Sequence, residues 1–205
     1  IYNHNKDRDK EALFIKEKIY TYEDLSISIK RIKKELENIP DVRIGLVAND
    51  DLETYASIIA LWLEGKCYIP LHPNQPIERC LNIIEQVGTI YILDSSEVSR
   101  YKDQKTIATK HLSASDNVEL SLNNHIPDEA LAYILFTSGS TGVPKGVPIS
   151  RKNLAGFVDS FWTLGYELTE KDHCLQMFDL TFDLSVQSYL IPLLVGATTY
   201  TVSPA

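Results

Sequence analysis

The sequence has 205 residues, of which 44% are hydrophobic and 23% are charged, and its formal net charge is −8. This composition is typical of a globular domain that buries one substantial core. The negative balance argues against a nucleic-acid partner, because the phosphate backbone attracts basic surfaces. No apolar stretch is long enough to span a bilayer, so we also expect no membrane partner.

The cysteines and histidines show no metal-ligand pattern. Cys67, Cys80 and Cys174 are far apart, and the sequence contains no C-x-x-C, so we predict neither a zinc site nor a redox motif. We expect free thiols in a reducing, cytoplasmic compartment. A basic cluster at 30–34 shares its helix with Glu35 and Glu37, which favours a solvated helix face.

The first half of the chain alternates between strand and helix patterns. Residues 12–15 and 19–21 predict a hairpin, and Thr21 with Asp24 predicts a capping box for an amphipathic helix that extends towards Pro40. Further strands are predicted at 42–48, 67–71 and 89–93, with helices that start at 50–51 and at Pro76, the second with Leu81, Ile84 and Val87 on its inner face. Three strand–helix alternations predict a parallel sheet covered by helices.

The second half continues this alternation after a surface connection. Residues 94–128 are mixed in composition, with one strand predicted at 105–109. A strand at 130–136 comes next, and Ser150 is predicted to cap a helix that ends near Gly165. The remaining predicted elements are a strand at 173–178, a helix at 183–195 with a kink at Pro192, and a strand at 198–202.

Between the strand at 130–136 and the helix that follows Ser150 lies a loop rich in hydroxyl groups and glycine. Free backbone N–H groups in such a loop form an anion-binding concavity, and Lys145 adds a positive charge that suits a polyphosphate. A solvated linker has a similar composition. The strand before the loop and the rigid Pro144 beside the cation favour anion binding. The spacing is neither that of the common P-loop nor that of a dinucleotide fingerprint.

The run from Thr137 to Gly146 resembles the T-S-G-S-T-G-x-P-K-G signature of the adenylate-forming enzymes. That superfamily includes acyl-CoA ligases, luciferases and the adenylation domains of nonribosomal peptide synthetases. The resemblance implies that this loop holds the β- and γ-phosphates of ATP, with Mg²⁺ carried on the nucleotide. The implied phosphate-binding residues are Thr137, Ser138, Gly139, Ser140, Thr141, Gly142, Lys145 and Gly146.

A second segment, residues 63–79, resembles the family pattern L-x-x-G-x-x-Y-V-P-L-D-P-x-x-P-x-x-R. It departs from that pattern at His72, where the family usually has aspartate. The resemblance implies a chiefly architectural role for this segment, and its prolines also fit a simple turn.

A third constellation begins at Phe182 and resembles the F-D-x-S motif of members that activate amino acids. The resemblance implies that Asp183 pairs with the α-ammonium of the substrate and that Leu184 and Gln187 face the same pocket. An aspartate in an apolar pocket needs a cation to offset its lost hydration, and an amino acid brings one. The alternative is that Asp183 is no more than the N-cap of the helix that follows. Gln187 stands where peptide synthetases very often have tryptophan, which favours similarity to D-alanine–carrier-protein ligases and a small amino acid.

These observations predict an α/β fold with a mostly parallel sheet flanked by helices, as in the N-terminal subdomain of the adenylate-forming enzymes. We expect residues 1–205 to be the N-terminal part of an adenylation domain, within an AMP-forming ligase that loads an amino acid onto the phosphopantetheine thiol of a carrier protein. The family's ribose, adenine and C-terminal lysine motifs are not found, so we expect no catalytic side chain here and no activity of these residues alone. An acyl- or aryl-CoA ligase, which Asp183 disfavours, and a non-catalytic nucleotide-binding module stay open.

Overall fold

A computed structural model of the chain describes residues 8–113, 120, 126–137 and 144–202. Its larger sheet has six strands: β3 (Arg43–Val47), β4 (Cys67–Leu71), β5 (Tyr91–Asp94), β6 (Lys105–Ala108), β7 (Leu131–Thr137) and β8 (Lys145–Ser150). They lie in the order β6-β5-β3-β4-β7-β8. All neighbours run parallel except the antiparallel pair β7 and β8. The predicted parallel sheet is therefore confirmed.

A second sheet joins the two ends of the described chain. It contains β1 (Glu11–Ile15), β2 (Lys18–Thr21), β9 (His173–Gln176) and β10 (Thr198–Thr201), in the order β2-β1-β10-β9. The hairpin β1–β2 is antiparallel, as predicted, whereas β10 is parallel to both β1 and β9. These strands were predicted from the sequence, but their arrangement in a separate sheet was not. Periodicity within a strand carries no information about the distant strand with which it pairs.

Five α-helices cover the two sheets in the described structure. They are α1 (Tyr22–Leu36), α2 (Leu52–Leu63), α3 (Ile77–Val87), α4 (Arg151–Thr163) and α5 (Asp183–Val195), with a short 3₁₀ helix at Thr109–His111. The capping box of Thr21 with Asp24 is confirmed, and Ser150 caps α4 as predicted. None of the described helices is both long and apolar enough to cross a membrane.

Two predictions about helix faces are wrong. The inner face of α3 is formed by Cys80, Ile83, Ile84 and Val87, whereas Leu81 is 36% exposed. In α1, Lys33 is buried rather than solvated, because its ammonium pairs with Glu64 at 2.7 Å and with Glu37 at 3.4 Å. The pattern of apolar residues alone does not reveal that a lysine has a carboxylate partner on the neighbouring helix.

Two of the three cysteines are buried in the apolar core. Cys67 and Cys80 are buried, and Cys174 is partly buried, all three as free thiols. Loss of hydration raises the pKa of Cys67 to about 12. Cys67 and Cys80 pack in an apolar cluster between the larger sheet and α3, where they behave as small hydrophobic residues.

A hydrogen-bonded pair of buried tyrosines fixes α5 to the larger sheet. The hydroxyls of Tyr68 in β4 and Tyr189 in α5 are 2.9 Å apart, and both side chains are fully buried. Their rings pack beside Trp62, with centroids 6.0 and 6.4 Å from it. Burial raises the pKa of both tyrosines, so both hydroxyls stay protonated and each serves as the hydrogen-bond partner of the other.

Substitution of Tyr189 by phenylalanine leaves the Tyr68 hydroxyl buried without its partner. We expect Tyr189→Phe, and equally Tyr68→Phe, to lower the free energy of unfolding by about 1–3 kcal/mol. Urea denaturation followed by tryptophan fluorescence measures this, since Trp62 lies beside both rings. The double variant is expected to lose less than the sum of the single variants, and Tyr166→Phe, at an exposed tyrosine, is the matched control. Strictly additive losses would show that the two hydroxyls do not interact.

Candidate active site

A cavity of about 700 Å³ opens where the carboxyl ends of β4 and β7 meet the N-terminus of α5. In parallel α/β sheets, ligands bind at the carboxyl edge of the strands, so this is the expected place for a site. Most of its wall is apolar and includes Tyr133, Leu135 and Phe157. The polar side chains in the wall are His72, Gln75, Arg79, Thr137, Asn153, Thr181, Asp183 and Gln187.

Three of the predicted site residues lie together on the α5 side of this cavity: Asp183, Leu184 and Gln187. The alternative that Asp183 is the N-cap of α5 is wrong. Phe182 is the N-cap, because its backbone is still extended while Asp183 has already entered the helix. The Asp183 carboxylate accepts a hydrogen bond from the N–H of Leu184 at 2.9 Å. The N-terminal end of the helix dipole also favours a negative charge at this position.

Charged groups of both signs reach the cavity. Burial raises the pKa of Tyr133, and the negative charge of Asp183 raises it further. The Asp183 carboxylate is therefore close enough to the tyrosine hydroxyl to act on it electrostatically. Arg79 also lines the cavity, and its buried Nε has no hydrogen-bond partner within the described ranges. The cavity wall therefore contains a carboxylate and a guanidinium.

The predicted phosphate loop begins and ends beside this cavity. Thr137 is the last residue of β7 and lines the cavity, and it lies opposite Lys145, the first residue of β8. Ser138, Gly139, Ser140, Thr141 and Gly142 lie outside the described residues. Lys145 is exposed. The strand predicted at 130–136 is confirmed as β7, and β8 follows the loop.

Gly146 is required by close packing between β7 and β8 rather than by an unusual backbone conformation. It lies opposite Phe136 in the antiparallel pair. A Cβ added to it would come within 3.0 Å of the Phe136 ring and 3.1 Å of an Ile134 methyl group. The Phe136 ring therefore covers the glycine on the wall of the cavity.

Several residues of the cavity wall were not predicted from the sequence. The segment around His72 was expected to be architectural, yet three of its residues line the cavity: His72, Gln75 and Arg79. The period of two in a strand is a usable signal, because His72 falls on the same face as Tyr68, which is directed towards α5. In the described part of the chain, no three His, Cys, Asp or Glu side chains are grouped so that they could hold a metal ion.

Comparisons with known proteins identify the class of this fold and site. The AMP-binding enzyme family matches residues 2–205, and the chain belongs to that family. This confirms the resemblance to the adenylate-forming enzymes.

Two curated relatives show how much of a longer protein the chain matches. The ferrichrome siderophore peptide synthetase of Mycosarcoma maydis is 33% identical over 187 residues, and the match covers 87% of this chain and 4% of that protein. Zwittermicin A synthase ZmaJ of Bacillus cereus is 31% identical over 204 residues, and the match covers 96% of this chain and 38% of that protein. The chain therefore spans well under half the length of these relatives.

Solved structures confirm the fold. The adenylation domain AlmE of Vibrio cholerae, in complex with glycyl-adenosine-5'-phosphate, is 25% identical with a TM-score of 0.77, and the match covers 96% of this chain and 42% of that one. The nonribosomal peptide synthetase FmoA3, with AMPPNP bound, is 24% identical with a TM-score of 0.84, and the match covers 98% of this chain and 22% of that one.

The Phe136 ring occupies the space that a side chain at position 146 would need. We expect Gly146→Ala to lower the free energy of unfolding by about 1–3 kcal/mol, because the new methyl group must displace the phenylalanine ring. Gly156→Ala, on an exposed turn of α4 with nothing within 4 Å of its added Cβ, is the matched control and is expected to gain about 0.5–1 kcal/mol. Urea denaturation measures both changes. Equal effects of the two substitutions would contradict the packing argument.

Proposed function

We propose that residues 1–205 form the N-terminal part of an adenylation domain that activates a small amino acid with ATP. The observation that carries this proposal is the composition of one cavity, which places the Asp183 carboxylate on one wall and Thr137, the start of the phosphate loop, on another. An amino acid and the phosphates of ATP must meet within one such space for adenylation. The proposal is supported by the presence of Asp183 and Thr137 in the wall of the same cavity.

Asp183 supplies the chemical preference for an amino acid. The wall around it is largely apolar, so a carboxylate there loses hydration as a ligand fills the space. An α-ammonium offsets that loss through a charge-assisted hydrogen bond, whereas a fatty or aryl acid provides no cation. The apolar side chain of Leu184 and the amide of Gln187 are placed to contact the rest of the substrate.

The proposed reaction needs no side-chain nucleophile. An oxygen of the substrate carboxylate attacks the α-phosphorus of ATP and forms a new O–P bond. The bond between the α-phosphorus and the bridging oxygen breaks, and pyrophosphate leaves. The protein contributes position and charge: Thr137 and Lys145 would hold the phosphates, and Mg²⁺ carried on the nucleotide would neutralise part of their charge.

We propose that the substrate is a small amino acid and that the acceptor is a carrier protein. The glycyl-adenylate in AlmE supports a small amino acid, since that protein shares the fold at 25% identity. Gln187, which stands where peptide synthetases very often have tryptophan, favours similarity to the D-alanine–carrier-protein ligases and therefore also a small amino acid. We propose the phosphopantetheine thiol of a carrier protein as the acceptor and the cytoplasm as the compartment.

Removal of the Asp183 charge tests the amino-acid site. In a protein that contains the complete domain, we expect Asp183→Asn to raise the KM for the amino acid by about 10- to 100-fold, through the loss of a charge-assisted hydrogen bond. The KM for ATP is expected to stay unchanged. Amino-acid-dependent exchange of pyrophosphate into ATP measures both constants.

Asp159→Asn, at an exposed aspartate on α4 that does not line the cavity, is the matched control. Parallel assays with fatty and aryl acids test the CoA-ligase alternative. An unchanged KM for the amino acid in Asp183→Asn, or faster exchange with aryl acids than with amino acids, would refute the proposed substrate class.

Substitution of Lys145 tests the phosphate site independently. We expect Lys145→Ala to lower kcat for exchange by about 10-fold or more, because a point charge on the phosphates is lost. The control is Lys152→Ala, which removes the same charge from an exposed lysine paired with Glu129. Equal activity of the two variants would refute the proposed role of Lys145 in phosphate binding.

A further inference from the structure

The His72 ring makes a polar contact that crosses from the larger sheet to the turn that leads into α5. It follows β4 directly, and its Nε2 lies 2.8 Å from Oδ2 of Asp179. Both side chains are about three-quarters buried, at 23% and 25% exposure. The other ring nitrogen, Nδ1, accepts a hydrogen bond from the N–H of Asn74 at 3.0 Å. Because Nδ1 accepts that bond, Nε2 is the ring nitrogen that can carry a hydrogen towards Asp179.

Asp179 organises the turn that it belongs to. Its second oxygen, Oδ1, accepts hydrogen bonds from the N–H of Thr181 at 2.8 Å and from the Thr181 hydroxyl at 2.7 Å. Its carbonyl accepts from the N–H of Phe182 at 2.9 Å. Phe182 is the N-cap of α5, and Asp183 is the next residue. The turn 179–182 is thus wound around one carboxylate, and His72 connects that carboxylate to the end of β4.

The start of this segment is held separately. The Gln176 side chain is buried and forms hydrogen bonds with both the carbonyl and the N–H of Phe178, at 2.8 and 3.2 Å. Burial raises the pKa of Asp50, which follows β3, and the charge of Asp179 makes a smaller contribution in the same direction. A donor at position 72 therefore offsets negative charge at this edge of the sheet, whereas the aspartate of the family pattern would set two carboxylates against each other.

We infer that His72 is a positioning residue for the substrate carboxylate. Through Asp179 it fixes the turn 179–182, and through that turn it holds Asp183 where the α-ammonium binds. The inference rests on the proposed function for the role of Asp183, but the contacts from His72 through Asp179 to Thr181 belong to the described structure itself. A displacement of about 1 Å in a binding group costs as much as 10²-fold in rate, so a loosened turn is expected to weaken recognition of the amino acid.

Two amides of different length at position 72 separate positioning from general stability. Glutamine places an amide N–H near the position of Nε2, whereas asparagine ends near Nδ1 and cannot reach Asp179. In a protein that contains the complete domain, we expect His72→Asn to raise the KM for the amino acid about 10-fold with the KM for ATP unchanged, and His72→Gln to stay within about threefold of the parent protein. Pyrophosphate exchange measures these constants.

Asp179→Asn provides a second test from the other side of the bond. It keeps an oxygen for Thr181 but turns a second N–H donor towards His72, so we expect the same rise in KM as in His72→Asn. The double variant is expected to be no worse than either single variant, because both remove one shared interaction. Hydrogen exchange at the amides of 180–185 is expected to accelerate in His72→Asn and to stay unchanged in His72→Gln.

The outcomes distinguish this inference from the proposed function. If Asp183→Asn raises the KM for the amino acid while His72→Asn does not, the positioning role is overturned and the proposed function stands. If Asp183→Asn has no effect on that KM but hydrogen exchange accelerates in His72→Asn, the turn is held as described and the proposed substrate role of Asp183 fails. Equal behaviour of the glutamine and asparagine variants in both assays would overturn the inference.

Discussion

The hydrogen bond between Tyr68 and Tyr189 is the constraint on which the candidate site depends. A buried hydroxyl without a partner costs free energy, so the two tyrosines must meet at one relative position of β4 and α5. That position determines where the N-terminus of α5 lies, and Asp183 is the first residue of that helix. The position of Asp183 in the cavity therefore depends on a contact deep in the core.

Strand β4 serves two surfaces at once. Its alternate residues Cys67, Ile69 and Leu71 pack against α3 in an apolar cluster. The opposite face presents Tyr68 to α5, and Pro70 lines the cavity beside it. Because side chains alternate along a strand, every residue of β4 is buried on one side or the other. One short strand thus supplies part of the core, the support for α5 and a wall of the cavity.

Most of the elements could be predicted from the sequence because their signals are local. The cap at Thr21, the strand at Cys67–Leu71 and the helix at Asp183–Val195 each depend on neighbours within a few residues. The second sheet could not be predicted, since β1 pairs with a strand more than 180 residues away. The role of His72 was missed for the same reason, because its partner Asp179 belongs to a distant turn.

In the proposed function, the strength of the interaction between Asp183 and an α-ammonium depends on how much water remains around the carboxylate. In the described structure Asp183 is exposed at the mouth of the cavity, where solvent screens its attraction for a cation to about 1 kcal/mol at 4 Å. A ligand that fills the apolar space displaces that water and places its own ammonium beside the carboxylate, so the same pair interacts more strongly. A smaller effective dielectric also penalises any ligand that fills the cavity without a cation. Under the proposed function, the apolar wall and the carboxylate of Asp183 would therefore act together, and neither alone would select an amino acid over a simple acid.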